Sequence, residues 1–351
     1  HLTNRRQRQM CIRDRIKTPR PRRIFAILEA IRRNWPIEDI AFLSKVDLWF
    51  LREIEKSFNV NPESTPVSIL KMLGWTDEDL DSKEIKDDLE NKRAYKLVDT
   101  CSAEFLSKTP YLYSTFGTSD DDSASKNKKV VVIGSGPNRI GQGIEFDYCC
   151  VHGVESLKEN NYEAIMINSN PETVSTDYDT ADKLYFEPLS WDEVKAVLAR
   201  EKPDSVIIQL GGQTPLKLAD KISSAGYKIA GSSLDVIDAT EDRDLFQKLC
   251  LSLNIDQPKS KISFNEDELI SAVKEITYPV LLRPSYVLGG RAMRVVKNDE
   301  ELKNYLSILA TADDDGNPFS SGPLLIDQFL TETIEIDVDL ISDGKDVFIA
   351  G

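Results

Sequence analysis

The residues of this chain whose types and spacing could do chemistry are gathered in a glycine-rich turn. Residues 130–133 (VVVI) predict a buried strand, residues 134–143 (GSGPNRIGQG) break it, and a helical pattern starts at Ile144. The first N–H groups of a helix are unpaired and lie at the positive end of its dipole, and glycine lets a ligand approach them closely. This arrangement predicts a turn that binds an anion.

The same turn fits a dinucleotide-binding fingerprint only in part. That fingerprint is G-x-G-x-x-G followed, about 20 residues later, by an acidic residue that holds the ribose. Here the third glycine comes late, at Gly141, and Asn168 stands near the place of the acidic residue. A Rossmann-type oxidoreductase therefore stays as an alternative, and it predicts NAD(H) binding.

Two further loops are predicted at the same place as the turn. Between residues 129 and 240 short apolar strands alternate with helices, which predicts a mostly parallel sheet with helices on both faces. Residues 168–176 (NSNPETVST) and 211–215 (GGQTP) each follow a predicted strand, as the glycine-rich turn does. Ligands of such sheets bind at the carboxyl ends of the strands, so we expect a site built from these three loops.

The last third of the chain changes to an α+β pattern with a second glycine loop. Two predicted strands, 279–283 and 291–297, enclose residues 284–290, and this loop is flanked by Arg283 and Arg291. Glycines beside arginines suit a mobile flap over phosphates. The alternative is an ordinary hairpin with surface arginines.

The first third of the chain shows a helical pattern from Arg22 to about residue 117. Further helices are predicted from Asp47 and between Pro66 and Gly74, because proline favours the start of a helix and glycine its end. This part predicts a small helical domain. Its first helix has apolar residues at three- and four-residue spacing, which gives one apolar face: Ile24, Ile27, Leu28 and Ile31.

Two polar stretches flank this helical region. Residues 1–15 are basic and lack apolar periodicity, so we expect no fold there. They are typical of a transit peptide or of a stretch foreign to the protein. Residues 118–128 (TSDDDSASKNK) predict a polar linker.

The composition limits the classes of partner and of chemistry. The net charge of −15 disfavours a nucleic-acid partner, and no apolar run approaches the roughly 20 residues that span a membrane. Five cysteines without metal-like spacing fit a reducing compartment, which predicts the cytoplasm, with an organelle as the alternative. The two histidines, His1 and His152, leave little room for histidine-based metal or triad chemistry.

Two long runs carry a more specific resemblance than any of these motifs. GPNRIGQGIEFDY (residues 136–148) and NPETVSTDYD (residues 170–179) closely resemble the large chain of carbamoyl phosphate synthetase, in its second, carbamate-phosphorylating half. The resemblance extends over the chain from about Ile16 onward. Further matching runs are GGQTP (211–215), EDR (241–243) and RPSYVLGGR (283–291).

The resemblance implies an order of domains along the chain. A helical domain of the oligomerisation type is expected first, then a Rossmann-like parallel α/β pre-ATP-grasp domain, then a truncated α+β ATP-grasp domain. The expected boundaries are 1–15 for an unassigned basic lead, 16–117 for the helical domain, 118–128 for the linker, 129–240 for the pre-ATP-grasp domain, 241–322 for the small ATP-grasp lobe and 323–351 for the start of the large lobe.

The resemblance also implies an ATP site. Mg²⁺, or Mn²⁺ in its place, would neutralise the phosphates, and the family's metal ligands are expected beyond Gly351, with none within the chain. The residues expected to bind ATP are Arg243 and Arg283 at the phosphates, Gly289 and Gly290 in the flap, Gln328 and the backbone of Leu330 at the adenine, and Glu335 at the ribose.

Three more residues resemble those that line the family's carbamate passage, which keeps carbamate from water. They are Arg139, Glu145 and Glu172. Each carboxylate could have a structural role instead. Glu145 could compensate the charge of a helix N-terminus, and Glu172 could be a turn residue after Pro171.

The resemblance finally implies partners and a pathway. It implies a small glutamine-hydrolysing subunit or domain, a homo-oligomer, and bicarbonate and ammonia as the sources of carbamate, in arginine or pyrimidine synthesis. We expect the chain alone to be inactive, because it lacks the metal ligands. Two alternatives stay open: another ATP-grasp ligase of the biotin carboxylase type, and a non-catalytic piece that forms oligomers through its helical domain.

Overall fold

The computed structural model places the chain in two compact units. The first comprises His1–Gly134 and Val151–Val206, and the second comprises Ser135–Cys150 and Ile207–Gly351. The residues that the structure describes are 12–20, 22–76, 78–80, 93–102, 104–105, 109–116, 119–137, 143–284, 293–311, 318–319 and 322–351.

The first unit begins with short helices, the first four of which share one apolar core. They are α1 (residues 12–17), α2 (Arg23–Arg32), α3 (Ile37–Ser44), α4 (Leu48–Phe58) and α5 (Val67–Met72). Asp47 caps α4 by accepting a hydrogen bond from the Trp49 N–H (2.7 Å). Gly74 follows α5 with a φ of 89°, a conformation that favours glycine. The helices predicted from Arg22, Asp47 and Pro66 are confirmed, whereas α3 was not predicted.

The expectation that residues 1–15 have no fold is wrong from Ile12 onward. Ile12 and Ile16 lie one helical turn apart on α1 and are 8% and 0% exposed. Both belong to the core that α2, α3 and α4 form. One pair of apolar residues is too short a periodic signal to identify a helix, so only the neighbouring helices reveal its burial. Residues 1–11 lie outside the described residues.

The helical pattern expected up to residue 117 gives way to two strands. These are β1 (Arg93–Leu97) and β2 (Tyr111–Phe116), which pair with each other antiparallel. Their buried side chains include Tyr95 and Leu112, at 3% and 1% exposure. Aromatic residues favour strands when a neighbouring strand is present to pair with, and that neighbour comes from far along the chain.

An α/β sheet forms the centre of the first unit. Its further strands are β3 (Lys129–Ile133), β4 (Glu163–Asn168), β5 (Lys183–Phe186) and β6 (Ser205–Ile207). Its helices are α7 (Trp191–Glu201) and the part of α6 (Glu145–Glu159) from Val151 onward. The first six strands of the chain lie in the order β1-β2-β5-β4-β3-β6. The pairs β3–β4, β4–β5 and β2–β5 are parallel. The predicted parallel sheet is confirmed, with β1 as an additional antiparallel strand.

A buried ion cluster joins the end of α7 to this sheet. Glu201 accepts hydrogen bonds from Lys129 Nζ (2.8 Å) and from the Tyr185 hydroxyl, and Lys183 Nζ lies 3.3 Å from it. The side chains of Glu201 and Lys129 are 0% and 3% exposed. Burial opposes the charge of Glu201, but the bonds from Lys129 and Tyr185 and the two lysine charges outweigh it and hold its pKa below the usual range.

A polar linker was predicted over residues 118–128, and its described part, residues 119–128, is held against α7 by its aspartates. Arg200 donates to Asp120 Oδ2 (2.7 Å) and to the Asp122 carbonyl (2.5 Å), and its guanidinium stacks over the Tyr95 ring at 4.7 Å. Lys183 pairs with Asp122 at 2.6 Å. Composition alone predicted an unattached linker because it does not reveal distant cationic partners.

The first turn of α7 binds other parts of the same unit. Lys71 of α5 pairs with Asp192 at 2.8 Å, and the two side chains are 7% and 8% exposed. Arg93 of β1 pairs with Glu193 at 3.3 Å. Helix α7 is therefore bonded to the helical region, to β1 and to the linker.

The second unit contains the remaining elements. Its helices are α8 (Gln213–Leu216), α9 (Ala219–Ser224), α10 (Leu234–Glu241), α11 (Arg243–Ser252), α12 (Glu266–Ile276) and α13 (Asp299–Thr311). Its strands are β7 (Ile229–Ala230), β8 (Ser260–Ser263), β9 (Val280–Pro284), β10 (Arg294–Val296), β11 (Leu324–Gln328), β12 (Leu340–Ser342) and β13 (Val347–Ile349). Among the residues that the structure describes, no helix is long and apolar enough to cross a membrane.

Four strands of this unit form an antiparallel sheet in the order β10-β9-β11-β8. Apolar side chains of α12 and α13 share one core with β9, β10 and β11. This is the predicted α+β lobe, and the two predicted strands that enclose the glycine loop are present as β9 and β10. Strand β8 and helix α13 were not predicted.

Apolar and acidic residues alternate strictly over residues 334–339, a pattern that predicts a strand, but no strand forms there. This segment is irregular, and Ile334 and Ile336 are 88% and 76% exposed. An alternating pattern gives a strand only when a neighbour accepts its backbone hydrogen bonds. Pairing starts just afterwards, where Asp339 N–H donates to the Gly351 carbonyl (3.0 Å) and β12 pairs with β13.

Replacing Glu201 by glutamine should destabilise the first unit by about 3–5 kcal/mol, because it leaves the buried charge of Lys129 without its counter-charge. Because the pKa of Glu201 is lowered in the folded state, its stabilisation is present above the unfolded pKa and is lost as pH falls through the folded pKa. Urea unfolding at neutral and acidic pH measures both effects. Glu275→Gln, which breaks an exposed pair with Lys261, is the control and should change little. Equal losses in both variants would contradict the interpretation.

Candidate functional site

Two of the three predicted loops begin side by side at the carboxyl edge of the sheet. Strands β3 and β4 are parallel, with Ile133 opposite Ile167. The Gly134 N–H donates to the Ile167 carbonyl (2.9 Å), so the pairing extends one residue past β3. The two loops therefore start next to each other, as the parallel order predicts. The third loop, residues 211–215, lies in the second unit.

Gly134 makes room for a protein side chain. A Cβ atom at Gly134 would lie 2.6 Å from Asn168 Nδ2 and 2.7 Å from Asn168 Cγ. Asn168 is the last residue of β4 and is 0% exposed. The expectation that this glycine serves the approach of a ligand is corrected, because the Asn168 amide occupies the space. Residues 138–142, the centre of the predicted anion-binding turn, lie outside the described residues.

Buried polar side chains hold the loop after β4. Asn168 Oδ1 accepts from the Ser169 N–H (2.9 Å), and Asn168 Nδ2 donates to Ser175 Oγ (3.2 Å). Asn170 Oδ1 accepts from the Glu172 N–H (3.0 Å). Asn168 and Ser175 are 0% exposed, and Asn170 is 9% exposed. Buried polar groups are costly unless they are hydrogen-bonded, so these contacts fix the course of the loop.

The two carboxylates predicted for a carbamate passage are both exposed. Glu172 lies on the loop after β4, in the first unit. Glu145 is the first residue of α6, in the second unit, and its carboxylate lies against Gly143. Within the described part of the chain neither carboxylate has an ion-pair partner. Its place in the first turn also lets Glu145 compensate the helix dipole. Arg139 lies outside the described residues.

Arg283, expected at the ATP phosphates, lies near the end of β9. Its Nε atom is 2.8 Å from Asp327 Oδ2 on the neighbouring strand β11. Nε is nevertheless buried without a hydrogen-bond partner, so the contact is an ion pair of poor hydrogen-bond geometry. The guanidinium has five donors, and this one pairing leaves it able to bind an anion.

The residues expected at the adenine and ribose lie at and after the end of β11. Gln328 is the last residue of β11, and its side-chain carbonyl accepts from the Lys259 N–H (3.3 Å). Its amide nitrogen is therefore the group left to face a base. Leu330 is 49% exposed, and Glu335 lies in the irregular, exposed segment before β12.

The other residues expected to bind ATP are described only in part. Arg243 is the first residue of α11, which Asp242 caps by accepting from the Leu245 N–H (2.9 Å). The Arg243 side chain lies outside the described residues, as do Gly289 and Gly290. Arg283 and Gln328 are thus the two ATP-site predictions that the structure places on paired strands.

Glu187 is a further candidate site residue at the carboxyl edge of the sheet, and it was not predicted from the sequence. It directly follows β5 and is 4% exposed. Its carboxylate accepts from the Ser114 N–H (2.5 Å) and from the Ser114 hydroxyl (2.9 Å), and burial raises the pKa of Glu187. The loop of residues 168–176 was predicted because it follows a strand, and the same signal after β5 could have indicated Glu187.

Three family models match the chain, one after another. They are the carbamoyl phosphate synthetase large chain oligomerisation domain at residues 1–82, the carbamoyl phosphate synthase preATP-grasp domain at 126–239, and the carbamoyl-phosphate synthase L chain ATP binding domain at 242–350. The chain belongs to the carbamoyl phosphate synthase large-chain family. The predicted fold class, a helical region followed by pre-ATP-grasp and ATP-grasp parts, is confirmed.

Relatives named carbamoyl phosphate synthase large chain are similar along nearly the whole chain. That of Thermus thermophilus is 45% identical over 95% of this chain and 34% of its own length. That of Clostridium acetobutylicum is 46% identical over 96% and 33%, and that of Archaeoglobus fulgidus is 43% identical over 97% and 33%. The chain thus spans about a third of the length of these relatives.

Solved structures of other enzymes are more distantly similar. The biotin carboxylase domain of Hydrogenobacter thermophilus 2-oxoglutarate carboxylase is 20% identical with a TM-score of 0.42, over 59% of this chain and 45% of that one. N5-carboxyaminoimidazole ribonucleotide synthetase from Thermus thermophilus is 13% identical with a TM-score of 0.43, over 63% and 52%. At these scores they add nothing to the family assignment.

Two of the synthase models leave residues 83–125 between them. This interval contains β1, β2 and the aspartates that Arg200 binds. In this member of the carbamoyl phosphate synthase family, the interval therefore adds two strands to the sheet and is not a simple spacer.

Substituting Gly134 by alanine should destabilise the chain by about 1–3 kcal/mol, because the new methyl group overlaps the Asn168 amide. A second substitution, Asn168→Ala, removes the overlap, so the double variant should lose less stability than the sum of the two single variants. Urea unfolding of all four proteins measures the coupling. Simple additivity would show that the two residues do not interact.

Proposed function

We propose that this chain is a section of the large chain of a glutamine-hydrolysing carbamoyl phosphate synthetase and serves the ATP-dependent phosphorylation of carbamate. The observation that carries the proposal is the succession of three synthase models in order along one chain. The relatives named for this enzyme are 43–46% identical to it. Phosphoryl transfer needs positioning and charge neutralisation more than a protein nucleophile, which suits a chain with two histidines.

ATP is the proposed nucleotide, and Arg283 is the best supported of its ligands. Its Nε atom faces Asp327, which leaves the terminal nitrogens of the guanidinium to match phosphate oxygens. Mg²⁺, or Mn²⁺ in its place, would neutralise phosphate charge. Among the described residues, no group of three His, Cys, Asp or Glu side chains is placed to hold a metal ion. The remaining proposed ATP ligands are Arg243, Gly289, Gly290, Gln328, Leu330 and Glu335.

Carbamate is the proposed substrate, and Glu145, Glu172 and Arg139 are proposed to line its path. Carbamate carries an NH₂ group that can donate to a carboxylate. Glu145 and Glu172 are exposed and have no ion-pair partner in the described part of the chain, so both can accept such a bond. Bicarbonate and ammonia would supply the carbamate, and a glutamine-hydrolysing subunit or domain would supply the ammonia, in the cytoplasm or in an organelle.

A chimera tests the proposal with this chain's own residues. The matching third of the Thermus thermophilus large chain is replaced by this chain, and carbamoyl phosphate formation from bicarbonate, ATP and glutamine is measured with the small subunit. We expect synthesis. In the chimera, Arg283→Gln should lower kcat/KM for ATP about tenfold or more, because a charged hydrogen bond to phosphate contributes about 1.5–3 kcal/mol.

Arg294→Gln is the matched control for that substitution. Arg294 is an exposed arginine at the start of β10, and its replacement should leave kcat/KM unchanged. A folded chimera that makes no carbamoyl phosphate would overturn the proposal. Equal losses in the two arginine variants would remove Arg283 from the ATP site.

A second candidate function, homo-oligomer formation by the helical region, rests on its exposed aromatic side chains. Phe42 and Trp49 are 70% and 62% exposed, and Trp49 stacks edge-on with the exposed Phe50 at 4.9 Å. Large exposed apolar groups that lie close together are typical of interaction sites. The match to an oligomerisation domain covers these residues.

Sedimentation of the chain tests this second function. The double substitution Phe42→Ser and Trp49→Ser should shift the chain from an oligomer to the monomer mass, since it removes apolar surface from the contact. Phe264→Ser changes a similarly exposed phenylalanine, at 66%, in the second unit and should leave the mass unchanged. An unaltered mass for the double variant would exclude the helical region as the contact.

A further inference from the structure

One buried amide in the first unit lies at the centre of the loop that carries Glu172. Asn168 ends β4 and is 0% exposed, although its side chain is fully polar. Its amide packs on Gly134, at the start of the loop after β3. Burial of an asparagine is costly unless its groups are bonded, and here both ends of the amide are used.

The amide ties together the two ends of the loop after β4. Its Oδ1 accepts from the Ser169 N–H (2.9 Å), which is the first residue of the loop. Its Nδ2 donates to Ser175 Oγ (3.2 Å), at the far end. Ser175 is also 0% exposed, and it belongs to the short helical turn Val174–Thr176. One side chain therefore closes a loop of seven residues.

Glu172 lies inside this closed loop. Its backbone N–H donates to Asn170 Oδ1 (3.0 Å), and the loop's last turn is held by the bond from Thr176 Oγ1 to the Thr173 carbonyl (2.8 Å). The Glu172 carboxylate is exposed, while the groups around its backbone are bonded. The direction of that carboxylate is thus decided by how the loop is closed.

We propose that Asn168, through its contacts with Gly134, Ser169 and Ser175, is the positioning residue that aims the Glu172 carboxylate. An amide is required because the site needs one donor and one acceptor on the same planar group. Leucine has a similar shape but neither group, so Asn168→Leu would fill the space while releasing both ends of the loop. The role of Glu172 in this inference rests on the proposed function. The geometric part of the inference, which is that Asn168 closes the loop, does not.

The first test uses this chain alone and follows amide hydrogen exchange of residues 169–176. Asn168→Leu and Ser175→Ala should each raise exchange in this loop about tenfold or more, since each removes a bond that closes it. Exchange in β9 and β11, in the second unit, should not change. Ser169→Ala is the control, because its backbone bond to Asn168 is kept. Exchange equal to that of the control would overturn the geometric part.

The second test uses the chimeric synthetase and separates positioning from general damage. Asn168→Leu should lower overall carbamoyl phosphate synthesis about tenfold or more, because small misplacements of a substrate-facing group are costly. ATP formation from carbamoyl phosphate and ADP with Mg²⁺, which does not need the carbamate path, should stay unchanged. Ser169→Ala should leave both rates unchanged.

The outcomes distinguish the inference from the proposed function. A parallel loss of both rates would show that Asn168 is only structural, and no loss of either rate would show that it does not aim Glu172. Both results overturn the inference. If the chimera makes no carbamoyl phosphate before any substitution, the proposed function fails, and the exchange experiment still decides whether Asn168 closes the loop.

Discussion

The first unit depends on the buried carboxylate of Glu201. Two lysines, Lys129 and Lys183, and the Tyr185 hydroxyl converge on it at the end of α7, where almost no water reaches the charges. A buried charge is tolerated only when its partners are in place, so this cluster sets the position of α7 against β3 and β5. Because each buried charge needs an opposite charge or a hydrogen-bond donor at short distance, the cluster specifies one arrangement of helix and sheet.

Helix α7 in turn organises parts of the chain that lie far apart in sequence. Its first turn binds the helical region through Lys71 and β1 through Arg93, and its last turn binds the linker through Arg200. These contacts explain how residues that fall between the family models become part of the sheet. They also tie the helical region to the sheet within the first unit, through the pair of Lys71 and Asp192, whose side chains are nearly fully buried.

At the carboxyl edge of the same sheet, a glycine makes room for a protein side chain and not for a ligand. A sequence such as G-S-G indicates an anion-binding turn, but at Gly134 the missing side chain admits the Asn168 amide. That amide closes the next loop and leaves Glu172 exposed on it. This loop therefore presents one exposed carboxylate without an ion-pair partner in the described region, which is suited to a ligand that donates hydrogen bonds. In the second unit Arg283 offers donors to an anion.

The sequence by itself determined the family, the order of the parts, and most strands and helices between Lys129 and Gln328, because periodicity and long motifs are local properties of the chain. It also indicated the loops after β3 and β4, since parallel strands end at one edge. Only the tertiary structure decided that Ile12 and Ile16 are buried, that β1 and β2 join the sheet, and that residues 334–339 are not a strand. It also decided that the polar linker is bound by Arg200 and that Asn168 fills the space above Gly134. Each of these features depends on a partner that is distant in sequence, and a local sequence pattern carries no information about that partner.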